Sequence, residues 1–400
     1  MSHSTRIVVV GAGIVGASVA YHLARRGVAV VVIEGAAAGS ATGAGAGIIC
    51  PWTGPGDDPA YRLAADGARY YPELIAMLAE DGETGTRYQR VGALCLAGEA
   101  ARVGARARAG GPASDRGSLR DIEVHVGSQV PDHPEIGEVS VLPPGGPREL
   151  FPPLAAELGA VWIGGAARID GRAIRGSLLR AAARHGARRV AGTAVLTEDR
   201  GRVTGVVEVT SSEAIGADTV VVAAGAWTAL ICAELSQAAA RPLAIGPQRG
   251  QIVHLNVPGA DTGQWPVVLP AHGPYLLAFP PSRVVLGATR EDAGFDDRVT
   301  AGGLGGLLAA AAGLAPGLAD ATVAETRVGF RPVTADGLPL LGTLTDGLVI
   351  AAGNGPEGLT AGPWTGRAAA ALALGERPPA GLAAFDPARP LRWPASRAPD

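Results

Sequence analysis

The first residues with a type and spacing suited to chemistry are the glycines near the start of the chain. Residues 11–16 read Gly-Ala-Gly-Ile-Val-Gly, a G-x-G-x-x-G run. The first glycine of such a run permits a tight turn, the second lets backbone N–H groups approach a pyrophosphate, and the third allows close packing of a helix on a strand. Glu34 follows the last glycine of this run, Gly16, at close to the spacing of about 20 residues that is typical of an acid that binds ribose hydroxyls. The spacing predicts a dinucleotide site, and the acid favours FAD or NAD over NADP, whose 2′-phosphate is usually bound by an arginine.

The elements around this run fit such a site. Residues 7–10 are an apolar, β-branched run typical of a buried parallel strand. Residues 17–26 follow a helical pattern that Gly27 ends, and residues 28–33 predict a second strand. The glycine-rich residues 39–49 suit a close approach of backbone to a planar ligand, although alone they fit a flexible loop equally well.

Two later strands also end in small residues. The strand predicted over 218–222 is followed by Ala-Ala-Gly-Ala-Trp at 223–227. The strand predicted over 348–352 is followed by the glycine-rich residues 353–363 and then by a helix predicted over 364–374. Ligands of open α/β sheets bind at the carboxyl ends of strands, so both segments are candidates for the same cofactor.

Composition narrows the class of protein. Of 400 residues, 47% are hydrophobic and 18% charged, and the formal net charge is −3. These values predict a folded chain and argue against nucleic acid as a partner. All 34 basic residues are Arg, which excludes a Schiff-base lysine, a pyridoxal-phosphate anchor and a phosphate-loop lysine. Cys50, Cys95 and Cys232 have the spacing of neither a zinc site nor a disulfide framework, which favours a cytoplasmic setting. The sequence contains no apolar run of about 18 residues, so no membrane span is expected.

The chain resembles the FAD-dependent amine and amino-acid oxidoreductases of the D-amino-acid oxidase, glycine oxidase and sarcosine oxidase type, the DAO family. The resemblance covers about residues 5–390. It is carried by residues 11–34, 42–49, 220–227, 246–251, 275–291, 329–339 and 353–363. It implies FAD as the cofactor. It also implies that FAD is non-covalent, since sarcosine oxidases attach flavin through a cysteine where this chain has Gly329.

The resemblance implies an α/β fold with a Rossmann-like FAD-binding domain, interleaved with an α+β substrate domain on a mostly antiparallel sheet. The FAD-binding domain is expected over residues 1–87, 147–240 and 328–377, the substrate domain over 88–146 and 241–327, and a C-terminal surface tail over 378–400. Strand-like runs at 248–255 and 275–288 agree with such a sheet. Residues 172–186 predict an amphipathic helix that buries Ile174, Leu178, Leu179 and Ala182.

The candidate cofactor-binding residues lie in the fingerprint, in the glycine-rich residues after the second strand and after the two later strands, with Val195 in addition. They are Gly11, Ala12, Gly13, Ile14, Val15, Gly16, Glu34, Gly35, Thr42, Gly43, Gly45, Ala46, Gly47, Ile48, Val195, Ala223, Ala224, Gly225, Trp227, Gly353, Asn354, Gly355, Pro356, Glu357, Gly358, Leu359 and Thr360. No metal site is expected.

Arg331 and Tyr275 are the candidate catalytic residues. A planar guanidinium binds a carboxylate through two parallel hydrogen bonds. Arg331 stands where glycine and D-amino-acid oxidases of this type place their carboxylate-binding arginine, although many arginines form only structural ion pairs. Tyr275 matches a tyrosine whose hydroxyl helps to hold that carboxylate, and it fits core packing equally well. Arg249 and Gln248 are candidates for the pocket or its rim.

The implied reaction is oxidative deamination of a small amino acid, with a D-amino acid favoured. A hydride passes from Cα to flavin N5, and water converts the imino acid to a 2-oxo acid and ammonia. The alternative is oxidation of an N-alkyl or cyclic secondary amino acid, sarcosine-like or proline-like. Glycine oxidase has a second arginine where this chain has Pro356, which weakens the case for glycine.

The electron acceptor is expected to be oxygen or another acceptor. The lysine that activates oxygen in sarcosine oxidases has no counterpart in this chain, so the sequence does not decide between the two. The remote alternatives to an amine-oxidising enzyme are a flavin hydroxylase and a non-catalytic flavoprotein subunit. A homo-oligomer is compatible with the sequence.

Overall fold

The computed structural model describes residues 5–54, 56, 58–97, 118–233, 235, 243–377 and 381–393. The strands are β1 Arg6–Val10, β2 Ala29–Glu34, β3 Ile48–Ile49, β4 Gln89–Arg90, β5 Ala93–Leu96, β6 Val139–Leu142, β7 Ala160–Ile163, β8 Ala167–Arg168, β9 Arg188–Ala191, β10 Ala194–Asp199, β11 Arg202–Glu208, β12 Ala214–Gly216, β13 Thr219–Val222, β14 Ile245–Asn256, β15 Val267–Pro270, β16 Tyr275–Phe279, β17 Arg283–Gly287, β18 Thr322–Thr334, β19 Leu340–Thr345 and β20 Leu348–Ala352. The α-helices are α1 Ile14–Arg25, α2 Ala41–Ala44, α3 Pro59–Glu80, α4 Leu119–Gly127, α5 Gly146–Leu150, α6 Gly171–Arg184, α7 Thr228–Cys232, α8 Ala301–Leu314 and α9 Gly358–Ala373.

A six-stranded sheet has the order β19-β20-β13-β1-β2-β9, and all of its strands except the edge strand β19 run parallel. Successive side chains of a strand point to opposite faces, so a strand with two covered faces is apolar throughout. Ile7 and Val9 of β1 join the core formed with α1, α6 and α9, whereas Val8 and Val10 join the core formed with β11 and β12. The strands and helix predicted over residues 7–33 are confirmed.

The helix that follows β20 begins earlier than the sequence predicts. It was expected to begin at Trp364, after a loop that ends with Pro363, but α9 begins at Gly358 and contains Pro363. A proline lacks the N–H that would bond the carbonyl four residues before it, which here is that of Leu359. The Tyr71 hydroxyl donates to the Leu359 carbonyl instead, so the helix continues through the proline.

An eight-stranded sheet has the order β18-β14-β17-β16-β15-β5-β7-β6 and is antiparallel apart from the β15–β5 pair. The interleaved α/β fold with a mostly antiparallel second sheet is confirmed. Two strands depart from the expected domain boundaries: β7 pairs with β5 and β6, although residues 147–240 were assigned to the FAD-binding domain, and β18 crosses the boundary at 327/328. The apolar run of β7 fits either sheet, so its sequence does not identify its partners.

The described part of the expected C-terminal tail is packed rather than superficial. Leu382–Phe385 form a single 3₁₀ turn in which Leu382 and Phe385 are buried against the main core. Arg389 then pairs with Asp336, with its Nε atom 2.8 Å from the carboxylate. The expectation of a surface tail is therefore wrong for residues 381–389, because the i, i+3 spacing of two apolar side chains gives this segment a buried face. Residues 378–380 and 394–400 of the expected tail lie outside the described residues.

The second sheet contains a buried histidine. His254 of β14 is only 3% exposed, and neither of its ring nitrogens has a hydrogen-bond partner within the described residues. Burial and, to a smaller extent, the charges of Arg327, Arg283 and Arg172 lower the pKa of His254 from its ordinary value to about 4, with Glu325 acting in the opposite direction. His254 is therefore neutral in the folded protein at neutral pH.

Replacement of His254 by leucine should flatten the dependence of stability on pH. An unfolded histidine binds a proton below about pH 6.5, whereas folded His254 binds one only near pH 4. The unfolded state therefore binds more protons between these values, and the wild-type protein loses up to roughly 3 kcal/mol of unfolding free energy as the pH falls through this window. Denaturant unfolding at a series of pH values checks this, with the exposed His272→Gln variant as control. Parallel profiles for wild type and His254→Leu would contradict the assignment.

Candidate active site

The turns after β1, β13 and β20 converge at one edge of the six-stranded sheet. These strands are neighbours and run parallel, so their carboxyl ends meet at the same edge. Gly11, Ala223 and Gly353, which each follow one of the strands, line a single cavity of about 1840 Å³. The cavity is bounded on the other side by β18 and by the residues that follow β17.

The first turn requires glycine at two of its positions. Gly11 has φ +103°, and a Cβ atom there would lie 2.4 Å from the carbonyl oxygen of Ala223. A Cβ atom at Gly16 would lie 1.9 Å from the carbonyl oxygen of Gly11, so only glycine lets α1 pack this closely on the turn. The N–H of Ile14 donates to Thr42 Oγ1 at 2.9 Å, which joins the N-terminus of α1 to the short helix α2.

Glu34, at the end of β2, is held between two arginines. Its carboxylate accepts a hydrogen bond from Arg175 and another from Arg189 Nη2 at 2.7 Å. Arg175 also donates from Nε to the carbonyl of Ala12 at 2.6 Å, so it ties the acid to the glycine turn. A carboxylate offers about four acceptor sites, which leaves lone pairs for the hydroxyls of a ribose. Arg175 was missed because it lies beside the buried face of α6 and has no motif of its own.

All but three of the predicted cofactor-binding residues line the cavity. Gly16 lies beneath the first turn, as its packing role requires. Thr360 lies in α9 and donates from its hydroxyl to the carbonyl of Ile48 at 3.0 Å. Val195 is 37% exposed and lies outside the lining, whereas its neighbours Thr193 and Ala194 line the cavity. The role of Val195 in binding the cofactor stays a prediction.

Arg331 and Tyr275, predicted from separate parts of the chain, meet in the cavity wall. Tyr275 and Arg331 lie close enough for the positive charge of Arg331 to act on the tyrosine hydroxyl. Arg331 Nη1 donates to the carbonyl of Thr289 at 3.0 Å. The guanidinium lies against the backbone of Gly250, where a Cβ atom would be 2.5 Å from Nη1. Burial lowers the pKa of Arg331, yet an arginine keeps its charge in proteins; burial raises the pKa of Tyr275, so its hydroxyl stays protonated.

Neither Arg249 nor Gln248 lines the cavity. Arg249 instead stabilises the segment that forms this wall. Arg249 is buried and pairs with Glu291 and with Asp296, the latter at 2.8 Å. Glu291 also accepts hydrogen bonds from the Thr289 hydroxyl at 2.5 Å and from Gln251 Nε2 at 2.7 Å. This network fixes the segment whose Thr289 carbonyl holds Arg331. The suggestion of a place in the pocket or at its rim is therefore wrong for Arg249.

Five arginines line the cavity within the described residues, and three of them share one arrangement. Arg175 bonds the carbonyl of Ala12 and the carboxylate of Glu34. Arg172 and Arg327 each bond the carbonyl of Gly43, at 3.0 and 3.2 Å, and the carboxylate of Glu325, at 3.1 and 2.7 Å.

The other two cavity arginines have no carboxylate partner among the described residues. Arg331 bonds the carbonyl of Thr289 but pairs with no carboxylate. Arg290 is exposed to the cavity and forms neither a hydrogen bond nor an ion pair with any residue that the structure describes. The type and spacing of Arg290 do not indicate a binding role, although the residue lies in the 275–291 run.

Two absences apply to the described part of the chain. No group of three or more His, Cys, Asp or Glu residues there could hold a metal ion. None of the helices in the described ranges has the length and apolar character needed to span a bilayer.

Comparison with known proteins places these features in a family. The family model described as DAO, FAD dependent oxidoreductase, matches residues 6–372. The uncharacterized oxidoreductase YurR of Bacillus subtilis (strain 168) is 44% identical over 393 residues, which are 96% of this chain and 99% of the relative. Glycine oxidase of Geobacillus kaustophilus (strain HTA426) is 30% identical over 375 residues, which are 92% of each chain. The crystal structure of iminodiacetate oxidase from Chelativorans sp. BNC1 has a TM-score of 0.87 and 46% identity, and covers 96% of this chain and 99% of that one.

The residues of the cavity fit FAD. Pockets for drug-sized ligands measure about 300–1,000 Å³, so the cavity of about 1840 Å³ has room for a dinucleotide and a small substrate together. The N-terminus of α1 and the first glycine turn would hold the pyrophosphate. Glu34 would hold a ribose, and residues 42–48 and 353–359 would lie along the flavin.

Replacement of Glu34 by alanine should weaken the binding of FAD by about 10- to 100-fold, because hydrogen bonds to a charged group contribute about 1.5–3 kcal/mol. Titration of the apoprotein with FAD, followed by flavin fluorescence, measures the dissociation constant. The control is Glu80→Ala, which removes a surface partner of Arg25 far from the cavity lining. A folded Glu34→Ala protein with the wild-type dissociation constant would exclude Glu34 from the cofactor site.

Proposed function

The chain belongs to the DAO family of FAD-dependent oxidoreductases, and we propose that its substrate is an N-substituted glycine, a secondary amino acid of the iminodiacetate type. FAD is the cofactor, and the bonds acted on are the CH–NH bonds of amines or amino acids. In the proposed reaction the Cα–N bond is oxidised to an imine, which water splits into glyoxylate and a primary amine. The electron pair and one proton equivalent leave together as a hydride, and the nitrogen loses the second proton.

The proximity of Arg331 and Tyr275 carries the part of the proposal that concerns the carboxylate of the substrate. Arg175, Arg172 and Arg327 each bond a backbone carbonyl and a carboxylate, whereas Arg331 bonds only the carbonyl of Thr289 among the residues that the structure describes. The missing partner of Arg331 is supplied by the carboxylate of the substrate, which a guanidinium binds through charge-assisted hydrogen bonds. Tyr275 adds a donor, because its raised pKa keeps its hydroxyl protonated.

The protein's part in the reaction is to orient the substrate. FAD, when bound, accepts the hydride from the substrate Cα at its N5 atom. Arg331 is fixed by the Thr289 carbonyl and lies on the backbone of Gly250, so the carboxylate it binds has one position in the cavity. Fixing the carboxylate fixes the adjacent Cα, and such positioning is a large part of the rate enhancement in reactions of bound substrates.

A secondary amine is placed ahead of a primary one for two reasons. The iminodiacetate oxidase is 46% identical to this chain, whereas the glycine oxidase is 30% identical. Pro356 stands where the resemblance to glycine oxidase would require a second arginine. The second candidate is deamination of a primary amino acid, a D-amino acid in the first place, to a 2-oxo acid and ammonia. It is supported by the same Arg331–Tyr275 pair and by the likeness to glycine oxidase.

Anaerobic mixing of the holoprotein with a substrate panel separates these candidates. The panel contains iminodiacetate, sarcosine, L-proline, glycine, and D- and L-alanine, and the loss of oxidised-flavin absorbance is followed in time. Fastest reduction by iminodiacetate or sarcosine supports the proposal, and fastest reduction by D-alanine or glycine supports the second candidate. Reduction by none of the six would overturn both. Reoxidation by air or only by a dye then identifies the electron acceptor.

The Arg331→Ala variant should keep its FAD and raise the KM of the best substrate by about 10- to 100-fold, because the carboxylate loses a charge-assisted contact of about 1.5–3 kcal/mol. Steady-state kinetics and the flavin spectrum of the purified variant provide the two readouts. Arg120→Ala, at an exposed position of α4 away from the cavity lining, is the control. Unchanged kinetics of Arg331→Ala would remove Arg331 from its role.

A further inference from the structure

We propose that Arg290 binds a second carboxylate of the substrate, so that the cavity selects amino acids with two carboxylates over those with one. The inference rests on the proposed function and deepens it, since it concerns the other end of the same substrate. Arg290 would thereby be a specificity-determining residue rather than a participant in the oxidation.

The first support is the charge balance of the cavity wall. Glu34 pairs with Arg175 and Arg189, and Glu325 pairs with Arg172 and Arg327. The guanidinium groups of Arg331 and Arg290 remain without a carboxylate among the described residues. A substrate with one carboxylate neutralises one of them, whereas a dicarboxylate neutralises both.

The second support is the placement of Arg290 relative to Arg331. Arg290 directly follows Thr289, whose carbonyl accepts the hydrogen bond from Arg331 Nη1. The Arg249–Glu291 network fixes the backbone on the other side of Arg290. The backbone that carries Arg290 is therefore anchored, while its side chain stays open to the cavity. Arg290, Arg331 and Tyr275 all line the cavity, and the charge of Arg290 acts to lower the pKa of both Arg331 and Tyr275.

Glu357 is the remaining carboxyl group of this end of the cavity, and it does not neutralise Arg290 by a direct pair. Within the described residues Glu357 forms no ion pair with Arg290, although the charge of Arg290 acts on its carboxyl group. Burial raises the pKa of Glu357 from its ordinary value, which favours its neutral form, although Thr360 and Arg290 act in the opposite direction. A positively charged substrate would be attracted by Glu357 but repelled by the guanidinium groups of Arg331 and Arg290. The charge of the cavity wall therefore favours an anion.

Two pairs of compounds that differ only in the second carboxylate test the inference. Iminodiacetate and sarcosine are the reactive pair. Glutarate and butyrate are their carbon analogues, in which a CH2 replaces the NH, so neither can be oxidised at a Cα–N bond. Glutarate should bind the wild-type holoprotein about 10- to 100-fold more tightly than butyrate in calorimetry, as expected for one more charge-assisted contact.

The Arg290→Gln variant should lose this preference. Its affinity for glutarate and its kcat/KM for iminodiacetate should fall by about 10- to 100-fold, whereas the values for butyrate and sarcosine should change by less than about twofold; Arg290→Lys should recover part of the loss. Arg120→Gln is the matched control at an exposed site. Equal losses for one and two carboxylates, or wild-type binding of glutarate no tighter than that of butyrate, would overturn the inference.

Failure of the proposed function gives a different result. If neither iminodiacetate nor sarcosine reduces the flavin, the proposed reaction is wrong, while the calorimetry with glutarate and butyrate still decides the role of Arg290. If D-alanine is the better substrate, D-aspartate and D-glutamate replace iminodiacetate in the kinetic comparison. Selective loss of these two in Arg290→Gln supports the inference, and an equal loss of D-alanine overturns it.

Discussion

The parallel pairing of β20, β13 and β1 is the constraint on which the rest of the structure depends. Because these strands are neighbours and point the same way, three segments far apart in the chain end at one edge of one sheet. The contact between Gly11 and the carbonyl of Ala223 is so close that a Cβ atom could not be accommodated there. A dinucleotide needs several backbone segments at once, and this pairing brings three of them to one edge.

The second sheet supplies the positively charged side chain of the proposed substrate end. The carboxyl ends of the parallel strands offer backbone N–H groups and small side chains, which suit a cofactor but not a charged substrate. Arg331 comes from β18, on the opposite wall, and the ladder between β14 and β18 sets the register that brings it over Gly250. The proposed substrate end of the cavity therefore depends on the second sheet, whereas the glycine turns of the proposed cofactor end belong to the first.

Local patterns were sufficient to predict the parts of the site that local chemistry determines. The β1–α1–β2 unit, the place of Glu34 and the surface of α6 all follow from hydrophobic period, glycine spacing and strand ends, and the structure agrees with them. The start of α9 could not be predicted, because it depends on a hydroxyl of Tyr71 that lies far away in the sequence. The sheet to which β7 belongs depends on pairings that an apolar run does not specify. Arg331 and Tyr275 were found through a family resemblance rather than through spacing, and Arg290 had no such guide.

All 34 Lys or Arg residues of the chain are arginines, and arginine side chains link the elements that surround the cavity. An ammonium is a compact charge, whereas a guanidinium has a planar fork that can bond a carbonyl with one edge and a carboxylate with another. Arg175, Arg172 and Arg327 do this, and each thereby joins a backbone segment of the cofactor end to an acid on a different element. Arg331 repeats the carbonyl contact and leaves its second edge unused within the described chain. A partly buried guanidinium with an unfilled edge is unfavourable unless an anion completes it, so the same construction that stabilises the wall leaves Arg331 open to the carboxylate that we propose as its partner.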